Sequence, residues 1–197
     1  MGLYRKLGRK DDALEMVSEV LKSIRNMGAQ NQVGSATIYL NCATVYKAFG
    51  MPEQALTLFT TAKDIYEKEL DSKDKRFGGL YNNMALALVD LKRYKEADDL
   101  YKEALSVVLE YPDGVLDGAI TYLNMANAAE YEFGIEDAGD TIDTYLEKAQ
   151  TILENYPVKD GYYAFVCEKC ASVFGYYGHF VYEGELMERA RKIYERS

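Results

Sequence analysis

Residues 81–104 read YNNMALALVDLKRYKEADDLYKEA, and this stretch decides the fold. Large residues stand at Tyr81, Met84, Leu88, Tyr94 and Tyr101, and small ones at Ala85, Ala97 and Ala104. Moving back 42 residues finds the same order in Tyr39, Cys42, Ala43, Tyr46, Pro52, Ala55, Phe59 and Ala62. Another 42 back, Tyr4, Gly8, Ala13 and Val20 align with Tyr46, Gly50, Ala55 and Ala62, so the first unit begins in mid-helix. Forward by 41, Tyr122, Met125, Ala126 and Ala129 repeat the first helix, while Ile142, Leu146 and Ala149 resume the second helix four residues late. The four extra residues are assigned to a longer, glycine-containing turn over 132–141. The last unit carries Cys167, Cys170, Ala171 and Phe174, then Phe180, Met187 and Ala190.

The period inside each unit is helical. Leu80, Tyr81, Met84, Ala85, Leu88 and Leu91 follow the 3-4-3 spacing of one helix face, and Ala97, Leu100, Tyr101, Ala104, Leu105 and Val108 do the same. Alternation with period two is absent, so no sheet is expected. Pro112 and Pro157, each after a tyrosine, mark helix ends because proline cannot continue a helix. The pattern predicts nine helices, over 10–26, 33–49, 52–69, 76–91, 94–110, 116–133, 137–154, 161–177 and 180–196. They group as units of about 1–30, 31–72, 73–114, 115–158 and 159–197 within one domain.

These residues resemble the tetratricopeptide repeat, in which alanines alternate with aromatics across a helix pair. Ala43, Ala85, Ala126 and Ala171 stand where the two helices of a hairpin cross, and Ala62, Ala104, Ala149 and Ala190 where units touch. A large side chain at either place forces the axes apart. Three features depart from the pattern: a spacing of 41–45 residues, Tyr39, Tyr81 and Tyr122 in place of tryptophan, and Glu183 at an expected alanine. The lengthened helices are similar to those of kinesin light chain and of peptide-sensing bacterial regulators. The resemblance implies an all-α right-handed superhelical solenoid of antiparallel hairpins, about 4.5 repeats long.

Composition narrows the function classes. The 23 Lys+Arg against 32 Asp+Glu leave a net charge of −9, a poor match for nucleic-acid phosphates. No apolar run approaches the ~20 residues of a membrane span. Three cysteines cannot all pair within one chain, which points to a reducing, cytoplasmic setting. Cys167 and Cys170, with His179 nearby, form the one metal-like cluster, but a zinc site wants four ligands. Cys167 and Cys170 replace the aromatic and the large apolar residue of the repeat, and Cys42 stands at the place of Cys170, so all three thiols are expected in the core, with no metal and no cofactor. Carboxylate pairs such as Asp98-Asp99 fall on exposed faces, and nothing predicts the cleft that acid–base chemistry needs. Gly175-Tyr176-Tyr177-Gly178 reads as an inter-helix turn. The chain is expected to be non-catalytic.

The opposite face of each first helix carries the functional expectation. Asn41, Asn83 and Asn124 share one repeat position, Lys169 continues it in the last unit, and Asn127 lies one turn beyond Asn124. A carboxamide offers both a donor and an acceptor to a peptide main chain. The resemblance implies that such asparagines clasp a bound peptide in the concave groove of a scaffold. Lys47 and Lys169 are the only cations placed near the groove, outnumbered by Asp90, Glu130 and Glu168, which favours a neutral or basic protein or peptide partner over an acidic one. A second reading is a peptide-sensing regulatory module of a signalling or transcription protein. A third is self-association: the incomplete first unit leaves Tyr4, Leu7, Leu14 and Val17 short of partners, which predicts an apolar N-terminal end able to pair as a homodimer.

Overall fold

Two helix starts show a local signal from the sequence directly. Pro52 supplies the preset first turn of one helix, and the Asp160 side chain caps another by accepting from the Tyr163 backbone N–H at 2.9 Å. In the computed structural model, which describes residues 2–196, ten helices and no strand are found among the described residues. They are α1 Gly2–Lys6, α2 Lys10–Asn26, α3 Val33–Ala48, α4 Pro52–Glu69, α5 Arg76–Asp90, α6 Tyr94–Val108, α7 Val115–Phe133, α8 Ile135–Asn155, α9 Gly161–Tyr176 and α10 Phe180–Tyr194. The nine expected helices are all present, and α1 is a further short helix ahead of them. Residues 1–103 and 104–197 form two compact units.

In the first unit α2, α3, α4 and α5 pack in sequence, and α3 also meets α5. Ala13, Val17, Cys42 and Val45 form a core cluster with Tyr4, Leu14 and Tyr46 against it. Val17 is fully buried rather than short of a partner, because α2 packs along α3; among the described residues at this end, Leu3 and Leu7 are large apolar side chains that stand exposed. A hydrogen bond of 2.9 Å joins the hydroxyls of Thr37 and Tyr66 between α3 and α4. The turns that close the hairpins need left-handed backbone: Gly8 has φ 67° and Gly50 has φ 71°. Lys92, 42 residues past Gly50, holds φ 60° in the same turn without glycine's freedom.

In the second unit α7 pairs with α8, α9 with α10, and α7 lies beside α9. Its core includes Leu116, Leu123, Ala126, Leu146, Ala149, Leu153, Tyr163, Cys167, Phe174 and Leu186. The four-residue insertion is not a longer turn. Only Gly134, with φ 83°, separates α7 from α8, and α8 at 21 residues carries the extra length as helix. Four residues are close to one 3.6-residue turn, so the apolar face returns in register. Gly175 and Tyr176 are helical, within the expected 161–177 span, and the turn narrows to Tyr177 and Gly178. A Cβ on Gly175 would collide with the carboxylate of Glu183, so the missing side chain makes the room that the unexpected glutamate occupies.

The alanines behave as close crossings require. Ala43, Ala85, Ala126, Ala62, Ala104 and Ala149 are 0 % exposed, and Ala171 and Ala190 are 1 % exposed. The three free cysteines are also buried. Burial pushes the Cys42 thiol up to about 11 and the Cys170 thiol up to about 12, so both are poor nucleophiles at neutral pH. His179 is exposed, edge-on to Phe174. The described residues hold no group of three or more His, Cys, Asp or Glu side chains placed to share a metal ion.

Candidate functional site: the outer faces of the first helices

On the first unit, Asn41 is exposed on α3 and Asn83 is half-buried on α5. The Asn83 amide donates to the Gly79 carbonyl of its own helix at 2.7 Å, so part of its capacity is already used. Lys47 at the end of α3 forms an ion pair of 3.3 Å with Asp90 at the end of α5. One of the two cations assigned to the groove is therefore matched within the unit.

On the second unit, Asn124 and Asn127 are half-buried on α7, and Lys169 is exposed on α9 with its ammonium 5.1 Å from the centre of the Phe165 ring. Asn127 accepts a hydrogen bond of 3.0 Å from the Tyr177 hydroxyl. Glu130, one turn further along α7, accepts from Tyr176 at 2.6 Å and from Tyr177 at 2.8 Å. Burial, and then the hydrogen bond to Glu130, push the Tyr177 phenol well above its ordinary range, so it remains a donor. At the other end of the two helices Tyr162 donates to Asp117, whose carboxyl is raised by burial. At the Glu130 end Asn127, Glu130, Tyr131, Ser172, Val173 and Tyr176 line a pocket of about 230 Å³.

The sequence placed Glu130 on this face but not its partners. Tyr176 and Tyr177 read only as the end of a helix over 161–177 and its closing turn, with nothing in the sequence to show that this end of α9 meets Glu130. The charge is uneven as well. Residues 1–103 hold 16 Lys+Arg and 15 Asp+Glu for a net +1, whereas residues 104–197 hold 7 and 17 for a net −10. Tyr131, Phe133, Tyr162, Phe165, Tyr176, Phe180 and Tyr194, the exposed aromatics among the described residues, all belong to the second unit.

The family model for the tetratricopeptide repeat matches residues 79–108, which include the stretch that sets the 42-residue register. Over those residues the chain matches a tetratricopeptide repeat. Over 144 residues it is 27 % identical to Protein KINESIN LIGHT CHAIN-RELATED 2 of Arabidopsis thaliana, a match that covers 72 % of this chain. The matched part spans about a fifth (21 %) of that relative's length. Among solved structures, the kinesin light chain nearly identical TPR-like repeats of Podosopora anserina superpose with a TM-score of 0.62 at 18 % identity, covering 98 % of this chain and 90 % of that one. BtubC (BKLC) of P. vanneervenii gives a TM-score of 0.64 at 19 % identity, covering 99 % of this chain and 77 % of that one. The fold is thus the all-helical, TPR-like solenoid class, with long-helix repeats similar to those of kinesin light chain. Repeats of this kind generally serve as protein-interaction scaffolds. No helix among the described residues is long and apolar enough to cross a membrane.

Proposed function

We propose that the chain is a non-catalytic scaffold that holds a peptide segment of a partner protein on the outer faces of its first helices. The observation that carries this reading is the α7–α9 face, where Asn127, Glu130, Ser172 and Tyr176 converge on one pocket. Asn124, Asn127 and Lys169 contact the peptide on the second unit, and Asn41 and Asn83 do so on the first. The net charge of −10 on residues 104–197 supports a neutral or basic segment there, and not an acidic one. Three buried free thiols support a reducing, cytoplasmic location.

A peptide array probed with the wild type and with an Asn124→Ala/Asn127→Ala variant tests the reading. Capture of neutral and basic peptides should fall in the variant while its helical circular dichroism stays unchanged. Equal capture by both proteins overturns it.

A further inference from the structure

The pocket between α7 and α9 has a composition that goes beyond main-chain clasping. Glu130 supplies a carboxylate whose hydrogen-bond partners are the neutral phenols of Tyr176 and Tyr177. Neither partner cancels its charge, and no ion pair to it is found among the described residues. Two aromatic side chains that line the same pocket stand open to solvent, Tyr131 at 70 % and Tyr176 at 65 % exposure. On the first unit the comparable helix ends are closed by the Lys47–Asp90 ion pair, which spends its charge internally.

We infer that this pocket is a receptor for one basic side chain, arginine before lysine, presented by the partner segment proposed above. A cation gains from the carboxylate and from the faces of tyrosine rings together, and each gain grows as the pocket loses water. Arginine fits better because its planar guanidinium stacks on aromatic rings and forks onto a carboxylate. The phenols fix the carboxylate in place before the ligand arrives, so little ordering is left to do on binding. The volume of about 230 Å³ suits one extended side chain rather than a folded segment. The surplus of 17 acidic over 7 basic residues in this unit draws a cation towards it.

The test uses the full ¹⁵N-labelled chain titrated with N-acetyl-arginine methylamide, and separately with the lysine and citrulline analogues. Citrulline has the shape of arginine without the charge. Saturable amide shifts at Asn127, Tyr131, Ser172 and Tyr176 should appear with arginine, more weakly with lysine, and about tenfold more weakly with citrulline. Glu130→Gln should bring arginine down to the citrulline level, and Tyr131→Ala, at an exposed position that leaves the core intact, should weaken arginine about threefold. Citrulline binding as tightly as arginine, or undiminished arginine binding to Glu130→Gln, overturns the inference. So do shifts confined to residues outside the pocket. The wider reading fails separately: peptides captured on this face with no preference for a basic residue sink the basic-side-chain pocket alone. Arginine bound in the pocket, with peptide capture unaffected by Asn124→Ala/Asn127→Ala, sinks the clasp alone.

Discussion

The two units tie their neighbouring first helices together with different chemistry at matching places. In the first, Lys47 on α3 meets Asp90 on α5 as an ion pair. In the second, Glu130 on α7 takes two phenols, Tyr176 of α9 and Tyr177 just beyond it. Both arrangements hold two helices side by side, but only the ion pair consumes the charge it uses. A hairpin repeat can therefore keep its packing constant while its outer face passes from a closed ion pair to an open carboxylate. The alanine crossings, buried alike in both units, are what allow the faces to diverge.

Packing changes should break this parallel most strongly. Ala85→Leu and Ala126→Leu, at equivalent places in the two units, should each cost about 1–3 kcal/mol through overpacking. Urea denaturation measures this, and a cost in one unit alone would mean that the crossings are not equivalent. A second contrast lies in the hairpin turns. Lys92 holds the left-handed conformation that glycine holds at Gly8 and Gly50. Lys92→Gly should raise stability by about 1 kcal/mol, while Gly50→Ala should lower it by a similar amount, both visible in thermal unfolding.

The asparagines sharpen the difference in function. Asn127→Ala should weaken a bound peptide by about 0.5–1.5 kcal/mol in calorimetry, the net worth of a hydrogen bond. Asn83→Ala should cost less, because its amide is already donated to Gly79. The smallest effect concerns acid. Arg189 donates to Glu154 at 2.7 Å, and this contact holds the glutamate below its ordinary carboxylate value of 4.5. A lowered folded-state pKa adds stability above the unfolded value, and that stability is lost as pH falls through the folded one. Wild type should exceed Glu154→Gln by less than about 1 kcal/mol at neutral pH, since the pair is partly exposed. The gap should close as pH falls below about 4.5; a gap that persists in acid would place the benefit in packing rather than in charge.

Much of this protein was legible before folding because its signals are local and repeated. The 3-4-3 spacing gives helix faces, the small residues at 42-residue intervals give crossings, and Pro52, Pro112 and Pro157 give helix limits, all from side-chain size and backbone geometry near one position. The same logic put Cys42, Cys167 and Cys170 in the core, where the structure has them. It failed where a residue's role depends on a distant neighbour. The insertion before Ile142 became a turn of helix because register with α7 favoured it, and Val17 was buried by α3. Tyr176 and Tyr177, between Gly175 and Gly178, read only as the end of a helix and its turn. Only the approach of α9 to α7 brings their hydroxyls to Glu130, about 46 residues earlier, and hydrogen bonds over that separation leave no periodic trace in the chain.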